Sequence, residues 1–310
     1  MKVLVTGANG FLGTHLCAYL AARDIPCRRA VRRPDQSGGD TAAVGDIDGA
    51  TDWAPALSGI TVVVHLAARV HVLREEAHDP LAVFRRVNVE GTAKLARQAA
   101  EAGVRRFIFM SSIKVNGEET FARLFGPDDQ PAPADPYGIS KLEAEEVLRQ
   151  VARNTGIEAV ILRPPLVYGR GVGGNFTRLV RLVRQGWYLP LGSVRNRRSL
   201  VGVENLCSLV FLCLGHPAAA NRVLLVSDGR DVSTPELIRG IAQACAVAPR
   251  LLPCPPFLLR LLARLCGREK EIRRLTGSLQ IDDSRTRSLL DWQPPLSLAE
   301  GLRQSVCRDE

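Results

Sequence analysis

Two clusters in this 310-residue chain combine residue types and spacing that could do chemistry. Thr6-Gly7-Ala8-Asn9-Gly10-Phe11-Leu12-Gly13 places glycines three apart, directly after an apolar run. Gly7 permits a tight turn, Gly10 lets backbone approach a pyrophosphate, and Gly13 lets a helix pack closely on a sheet. The free N–H groups and dipole of a helix start favour anions there. This is dinucleotide-binding chemistry, against the competing reading of an ordinary glycine-rich turn. Further on, Tyr137-Gly138-Ile139-Ser140-Lys141 sets phenol and ammonium four apart, on one face if the segment is helical. A nearby ammonium favours phenolate, so the spacing predicts a tyrosine with a lowered pKa, suited to acid–base work.

Elements must bring these groups together. Val3–Val5, Cys27–Val31, Ala43–Val44, Val62–Leu66 and Arg106–Ser112 read as buried strands. Phe11–Arg23, Pro80–Ala102 and Pro136–Thr155 read as helices, the last two led by proline and closed by Gly103 and Gly156. Strand alternating with helix implies parallel βαβ units. Ser111 and Ser112 then fall where a parallel strand ends, which is where ligand crevices open in such sheets. After Val160–Leu162 the rhythm changes. Helices over Phe176–Gln185, Val203–Leu214 and Pro235–Ala246 mix with short strands such as Val223–Val226. The expected architecture is α/β: a Rossmann-type doubly wound parallel sheet over residues 1–165. A smaller mixed α/β substrate lobe over 166–310 follows, with some segments returning to the sheet. In Pro255–Cys266, residues Phe257, Leu258, Leu261, Leu262 and Leu265 share a helical face opposite Arg260 and Arg264. Packing onto a core is the simpler reading than a membrane-surface helix.

The end of the second strand bears on the cofactor. An acid there would accept from a ribose 2′-hydroxyl and repel a 2′-phosphate. Arg32 and Arg33 stand there instead, which favours NADP(H) and leaves NAD(H) possible; plain solvated arginines are the competing reading. Asp46 and Ile47, at the end of the third strand, suit the adenine edge.

Composition narrows the alternatives. The chain is 46% apolar and 24% charged, which excludes global disorder. No apolar run is long enough for a transmembrane helix, and glycines interrupt the N-terminal apolar stretch before it could serve as a signal peptide. A cytoplasmic enzyme is expected. The eight cysteines form no CxxC pair and read as reduced and mostly buried. The five histidines lack HxxxH or HExxH spacing, so no metal is expected. The net charge of +9 invites a nucleic-acid reading, but aromatic residues make up only 5% and the arginines read as scattered. His65 reads as a packing or hydrogen-bonding residue at a strand end.

Six segments occur in order: TGANGFLG, VVHLAA (63–68), NVEGT (88–92), FIFMSSIKVNG (107–117), YGISK and LRPPLVYG (162–169). Together they resemble the extended short-chain dehydrogenases/reductases of the NAD-dependent epimerase/dehydratase family, in the nucleotide-sugar 4-epimerase and 4-keto-reductase branch. The resemblance implies that Tyr137 is the catalytic acid/base and that Lys141 holds the nicotinamide ribose. It gives Ser112, rather than Ser111, to the sugar oxygen. It places the cofactor against Gly7, Asn9, Gly10, Phe11, Leu12, Gly13, Leu66, Ala67, Ala68, Asn88 and Pro164, together with Tyr137 and Lys141. It also implies a nucleotide-sugar substrate, probed by Asn175 and by a diphosphate-binding Arg198, and a homodimer. Two positions depart from the pattern: Asn116 replaces a usual tyrosine, and the second strand lacks the acid of NAD-retaining epimerases. The second departure tilts the expectation toward a UDP-4-keto-sugar 4-reductase, with a UDP-glucose or UDP-N-acetylglucosamine 4-epimerase as the alternative. The segment Thr276–Asp282 resembles members that make bacterial surface polysaccharide sugars. A non-catalytic NADP-sensing protein of this fold is a further rival; such proteins commonly lack the Tyr/Lys pair present here.

Overall fold

The computed structural model describes residues 1–33, 39–70, 79–265, 267 and 269–306. Cys266, Arg268 and Cys307 lie outside them. The first half runs β1 (Val3–Thr6), α1 (Phe11–Ala21), β2 (Cys27–Val31), β3 (Thr41–Ala43), α2 (Ala54–Leu57), β4 (Val62–His65), α3 (Pro80–Arg85), α4 (Gly91–Glu101), β5 (Arg106–Met110), α5 (Pro136–Thr155) and β6 (Glu158–Arg163). The second half adds β7 (Leu166–Tyr168), α6 (Gly174–Arg184), β8 (Leu200–Gly202), α7 (Val203–Cys213), β9 (Arg222–Leu225), α8 (Thr234–Ala244), α9 (Pro256–Leu265), α10 (Glu269–Thr276), α11 (Ser284–Leu290) and α12 (Leu298–Val306).

Seven strands form one parallel sheet in the order β3-β2-β1-β4-β5-β6-β9. Strand side chains alternate faces, and both faces here are apolar, so helices must cover both. Val3, Val5, Val62, Val64, Ile108, Val160 and Leu162 pack with α1 and α7. Leu4, Val63, Phe107, Phe109 and Ile161 pack on the other side with α2, α4 and α5. This is the doubly wound arrangement expected from the alternating pattern. Winding reverses between β1 and β4, so a crevice opens at their carboxyl ends.

Local chemistry fixes the helix carrying Tyr137. Asp135 caps α5, its carboxylate accepting from the Gly138 amide at 2.8 Å; Pro136 follows, and Gly156 ends the helix at φ 78°. The stretch read as one helix over Pro80–Ala102 is not uniform. Arg86–Glu90 forms a π-helical turn between α3 and α4. An extra residue per turn is invisible to a 3.6-residue pattern, and it lodges Asn88 in the interior.

Beyond residue 165 the chain serves two places. β9 returns to the sheet edge beside β6, α7 covers α1, and Leu290 and Trp292 join the core beneath them. The remainder builds a second core from Tyr168, Phe176, Val183, Ile238, Ile241 and Leu302 around the parallel pair β7–β8. The Tyr168 hydroxyl donates to Asp228 at 2.6 Å, and Asp228 accepts from the Gly202 amide and the Asn205 side chain, tying this core to the sheet edge. One expectation fails here. α9 buries Leu259, but Phe257, Leu261 and Leu265 are 72%, 53% and 77% exposed. A single helical stripe cannot tell core from surface, and among the described side chains of α9 it is Leu259 that packs into the lobe's core.

Candidate active site

The glycine loop joins β1 to α1 at the crevice. Gly7 lies at φ +67°, and a Cβ there would sit 2.8 Å from the Ala67 amide nitrogen, so only glycine allows the loops after β1 and β4 to meet. At Gly13 a Cβ would come within 2.1 Å of the Gly7 carbonyl oxygen. No side chain caps α1, whose first helical bond runs from Thr14 to Gly10. The amides of Phe11, Leu12 and Gly13 precede that bond, which is the anion-binding arrangement. Asn9 and Gly10 are exposed, and Leu66, Ala67 and Ala68 line the neighbouring loop half-buried.

Beneath the loop runs a chain of hydrogen bonds. The Ala67 amide donates to Thr6 Oγ1 at 3.2 Å, and Thr6 Oγ1 lies 2.7 Å from His65 Nδ1. His65 Nε2 lies 3.0 Å from Thr92 Oγ1, which donates to the Asn88 carbonyl at 2.6 Å. The consistent polarity makes Thr6 the donor to Nδ1 and puts the imidazole proton on Nε2. Burial, helped by Lys141, lowers the His65 pKa to about 3, so the ring stays neutral. Asn88 accepts from the Arg69 amide at 2.8 Å and donates to the Arg69 carbonyl and to Ser140 Oγ. It thus clamps the loop after β4 to the helix of Tyr137.

At the outer end of the crevice, Arg32 Nε meets Asp46 at 2.8 Å, with both side chains about three-quarters exposed. Ile47 lies against Gly91, where a Cβ would be 2.6 Å from its Cγ2.

Ser112, Tyr137 and Lys141 come together at the end of β5. The Ser112 hydroxyl hydrogen-bonds the Tyr137 phenol, and the Pro164 carbonyl accepts from the Ile113 amide at 3.0 Å, holding the turn after Ser112. Ser111 turns the other way, donating to buried Glu145 at 2.5 Å. The two serines therefore have different surroundings, and only Ser112 faces the phenol. The expected lowering of the tyrosine pKa is not found. Burial, with the Asp135 carboxylate adding to it, pushes Tyr137 up to about 12, against a smaller downward pull from Ser112. Lys141 Nζ donates to the Met110 carbonyl at 2.8 Å and sits 5.9 Å from the Tyr137 ring centre, so the ammonium is engaged elsewhere and does not outweigh burial. Burial also drops Lys141 to about 7, with Glu145 pulling upward.

The second-lobe residues have other surroundings. Asn175 is exposed in the first turn of α6. Arg198 is half-buried, its guanidinium donating to the carbonyls of Arg274 at 2.8 Å and Gly277 at 3.2 Å. Its side chain is held by protein carbonyls, a role that spacing alone does not reveal.

Several supporting residues escaped the sequence reading. Arg163 donates to both Glu145 oxygens, at 2.9 and 2.6 Å, and to Asn116 Oδ1 at 2.9 Å; Asn116 donates onward to the Gly126 carbonyl. This network explains an asparagine at that departure from the family pattern. An arginine inside an apolar strand and a glutamate four residues after Lys141 were its available signals. His15 joins α1 to the Arg170 carbonyl at 2.8 Å and to Glu204 at 3.2 Å. Among the described residues no group of His, Cys, Asp and Glu could hold a metal ion, and no helix is long and apolar enough to cross a membrane.

Comparison with known proteins bears on the fold and the family. The NAD dependent epimerase/dehydratase family model covers residues 3–226. A UDP-glucose 4-epimerase of Vibrio cholerae is 47% identical over 309 residues, spanning 98% of this chain and 94% of that one. The solved structure of MoeE5 in complex with UDP-glucuronic acid and NAD is 26% identical, with TM-score 0.79 over 98% of this chain and 97% of that one. UDP-glucuronic acid 4-epimerase from Bacillus cereus in complex with NAD superposes with the same TM-score at 22% identity, over 98% and 97% of the two chains. With its glycine loop at the sheet's switch point and its Ser–Tyr–Lys cluster at the end of β5, the chain belongs to the NAD-dependent epimerase/dehydratase family of extended short-chain dehydrogenases/reductases.

Proposed function

We propose that the protein is a UDP-hexose 4-epimerase, with residues 1–165 forming most of the cofactor side and the second lobe receiving the nucleotide sugar. The observation that carries this is the 47% identity to a UDP-glucose 4-epimerase over nearly the whole chain. It moves the reading from reductase to epimerase. The cradle fits a dinucleotide: Gly7 and Gly13 let the loop lie against Ala67 and against α1, and no side chain caps the amides at the start of that helix. In this reading the amides of Phe11 to Gly13 hold the pyrophosphate, Leu66 to Ala68 and Pro164 line the pocket, Asn88 supports it, and Ile47 and Asp46 meet the adenosine. When bound, the cofactor supplies the hydride acceptor and donor at sugar C4.

The chain's own work is proton handling. Tyr137 takes the proton of the C4 hydroxyl and returns it, while Ser112 orients the sugar oxygen and donates toward the phenolate. A phenol near 12 is a weak base at neutral pH, so a nearby positive charge is needed. Lys141 is close enough to supply it once its Met110 contact is exchanged for the nicotinamide ribose. Asn175 lies on the sugar-nucleotide side. Arg198 serves the diphosphate only if it gives up its carbonyl partners.

The test is incubation of the purified protein with UDP-glucose and no added cofactor, followed by nuclear magnetic resonance of the product. UDP-galactose forming without net nicotinamide oxidation or reduction is the expected result. Turnover only of a UDP-4-keto-sugar, with one NADPH consumed per product, would establish the second reading, a 4-keto-reductase. The absence of an acid at the end of β2 favours that reading.

A further inference from the structure

The basic residues are not spread evenly. Between Glu158 and Glu204, and again between Glu236 and Glu269, the chain contains thirteen arginines and no acid. The rest of the sequence is net acidic, so the whole positive excess belongs to these two stretches. They meet in the second lobe. The Leu189 amide donates to the Arg250 carbonyl and the Leu252 amide to the Leu189 carbonyl, each at 2.9 Å, and the Arg250 guanidinium lies 5.2 Å from the Tyr188 ring centre.

The same junction exposes its largest apolar side chains. Trp187 and Tyr188 are 60% and 61% exposed, Leu252 is exposed beside them, and α9 starts four residues later. On α9, Phe257, Leu261 and Leu265 recur every four residues on the outward stripe, while Leu259 anchors the helix to the lobe core. Arg250 beside Tyr188, Arg264 on α9 and Arg181 in the last turn of α6 are all exposed.

We propose that this face of the second lobe docks on an anionic lipid bilayer. α9 would lie in the interface plane, Trp187 and Tyr188 at headgroup level, and the arginines against phosphate. An amphipathic helix with aromatic flanks and arginines, drawn from two stretches of sequence without an acid, is the arrangement that combines apolar burial with attraction to anionic lipid. Charge selects this occupant over two others. A second copy meeting the patch about a two-fold axis would set Arg181, Arg250 and Arg264 against their own equivalents. A nucleic acid would satisfy the arginines but leave the aliphatic Leu252, Leu261 and Leu265 with nothing to bury against, since bases stack on aromatic rings.

The experiment is co-sedimentation of the full chain with vesicles of equal parts phosphatidylglycerol and phosphatidylcholine, and with vesicles of phosphatidylcholine alone. Binding to the anionic vesicles should be at least about tenfold tighter and should weaken in about 0.5 M salt. Phe257→Ser with Leu261→Ser should reduce it about tenfold, with an unchanged melting temperature showing that the fold survives. If that variant melts early, Arg250→Glu with Arg264→Glu gives the same readout through charge. Equal binding to both vesicle types, or undiminished binding by a folded variant, overturns the proposal. So does tighter retention on single-stranded DNA than on vesicles, or a dimer that the serine variant dissociates in the absence of vesicle binding.

Discussion

Tyr137 shows how far a residue's chemistry depends on what it faces. Its i, i+4 partner Lys141 shares its helix, yet the ammonium bonds the Met110 carbonyl and leaves burial to dominate the phenol. Removing the hydroxyl should therefore remove the proton carrier and little else. Tyr137→Phe is expected to lower kcat about a hundredfold or more with KM changed far less, measured with UDP-glucose. Near-normal turnover would refute the assignment. Arg32 is the residue whose part in cofactor choice can be tested. Its pairing with Asp46 is exposed, and such pairs hold weakly, so a 2′-phosphate can displace the carboxylate. Arg32→Ala should weaken NADPH binding more than NADH binding, by about tenfold, in fluorescence titration. Equal effects on the two would remove Arg32 from 2′-phosphate recognition.

Elements do the positioning. The glycine loop needs α1 pressed onto the sheet, and the constraint is steric: the Gly13 position lies against the Gly7 carbonyl and Ala8 Cα. Gly13→Ala must push α1 away from the loop, so dinucleotide affinity should fall by at least about tenfold in calorimetry, with a lower melting temperature. Unchanged affinity and stability would mean that α1 does not set the pyrophosphate site. The π-helical turn at Arg86–Glu90 is a second positioning device. It turns Asn88 inward, where one side chain holds both the loop after β4 and Ser140 on α5.

Across the whole molecule, the buried chain from Ala67 through Thr6, His65 and Thr92 to Asn88 ties β1, β4 and α4 into one unit. Its histidine makes stability depend on pH. The folded-state pKa is about 3, below the unfolded value near 6.5, so between these values the unfolded chain binds a proton that the folded chain refuses. This group's contribution is constant above about pH 6.5 and falls by about 1.4 kcal/mol per unit as pH drops through that window. From about pH 7 to about pH 5, wild type should lose about 2 kcal/mol more unfolding free energy than His65→Gln, measured in urea. Parallel losses in the two proteins would show that His65 is not the titrating group. The distribution of charge also belongs to this scale. The two arginine-rich, acid-free stretches are far apart in sequence and meet in the second lobe, where a bridge sets Leu189 beside Leu251.

The sheet, its two helical faces, the places of Gly7, Gly13, Tyr137 and Lys141, and a serine pair at the end of β5 were legible in the sequence. Each follows from short-range rules: alternation on a strand, spacing on a helix, and the steric demand of a turn. What the tertiary structure alone decided depends on partners distant in the chain. Ser111 and Ser112 are adjacent, and only Glu145 and Arg163 separate their roles. Arg198 meets its carbonyls across the Arg274–Gly277 turn. The π-helical turn answers to contacts of Asn88 rather than to helical periodicity. The stripe on α9 has the same pattern as a core helix, and which side meets water was set by where the lobe's core ends. A one-dimensional pattern records that a face is apolar, and the fold determines what that face meets.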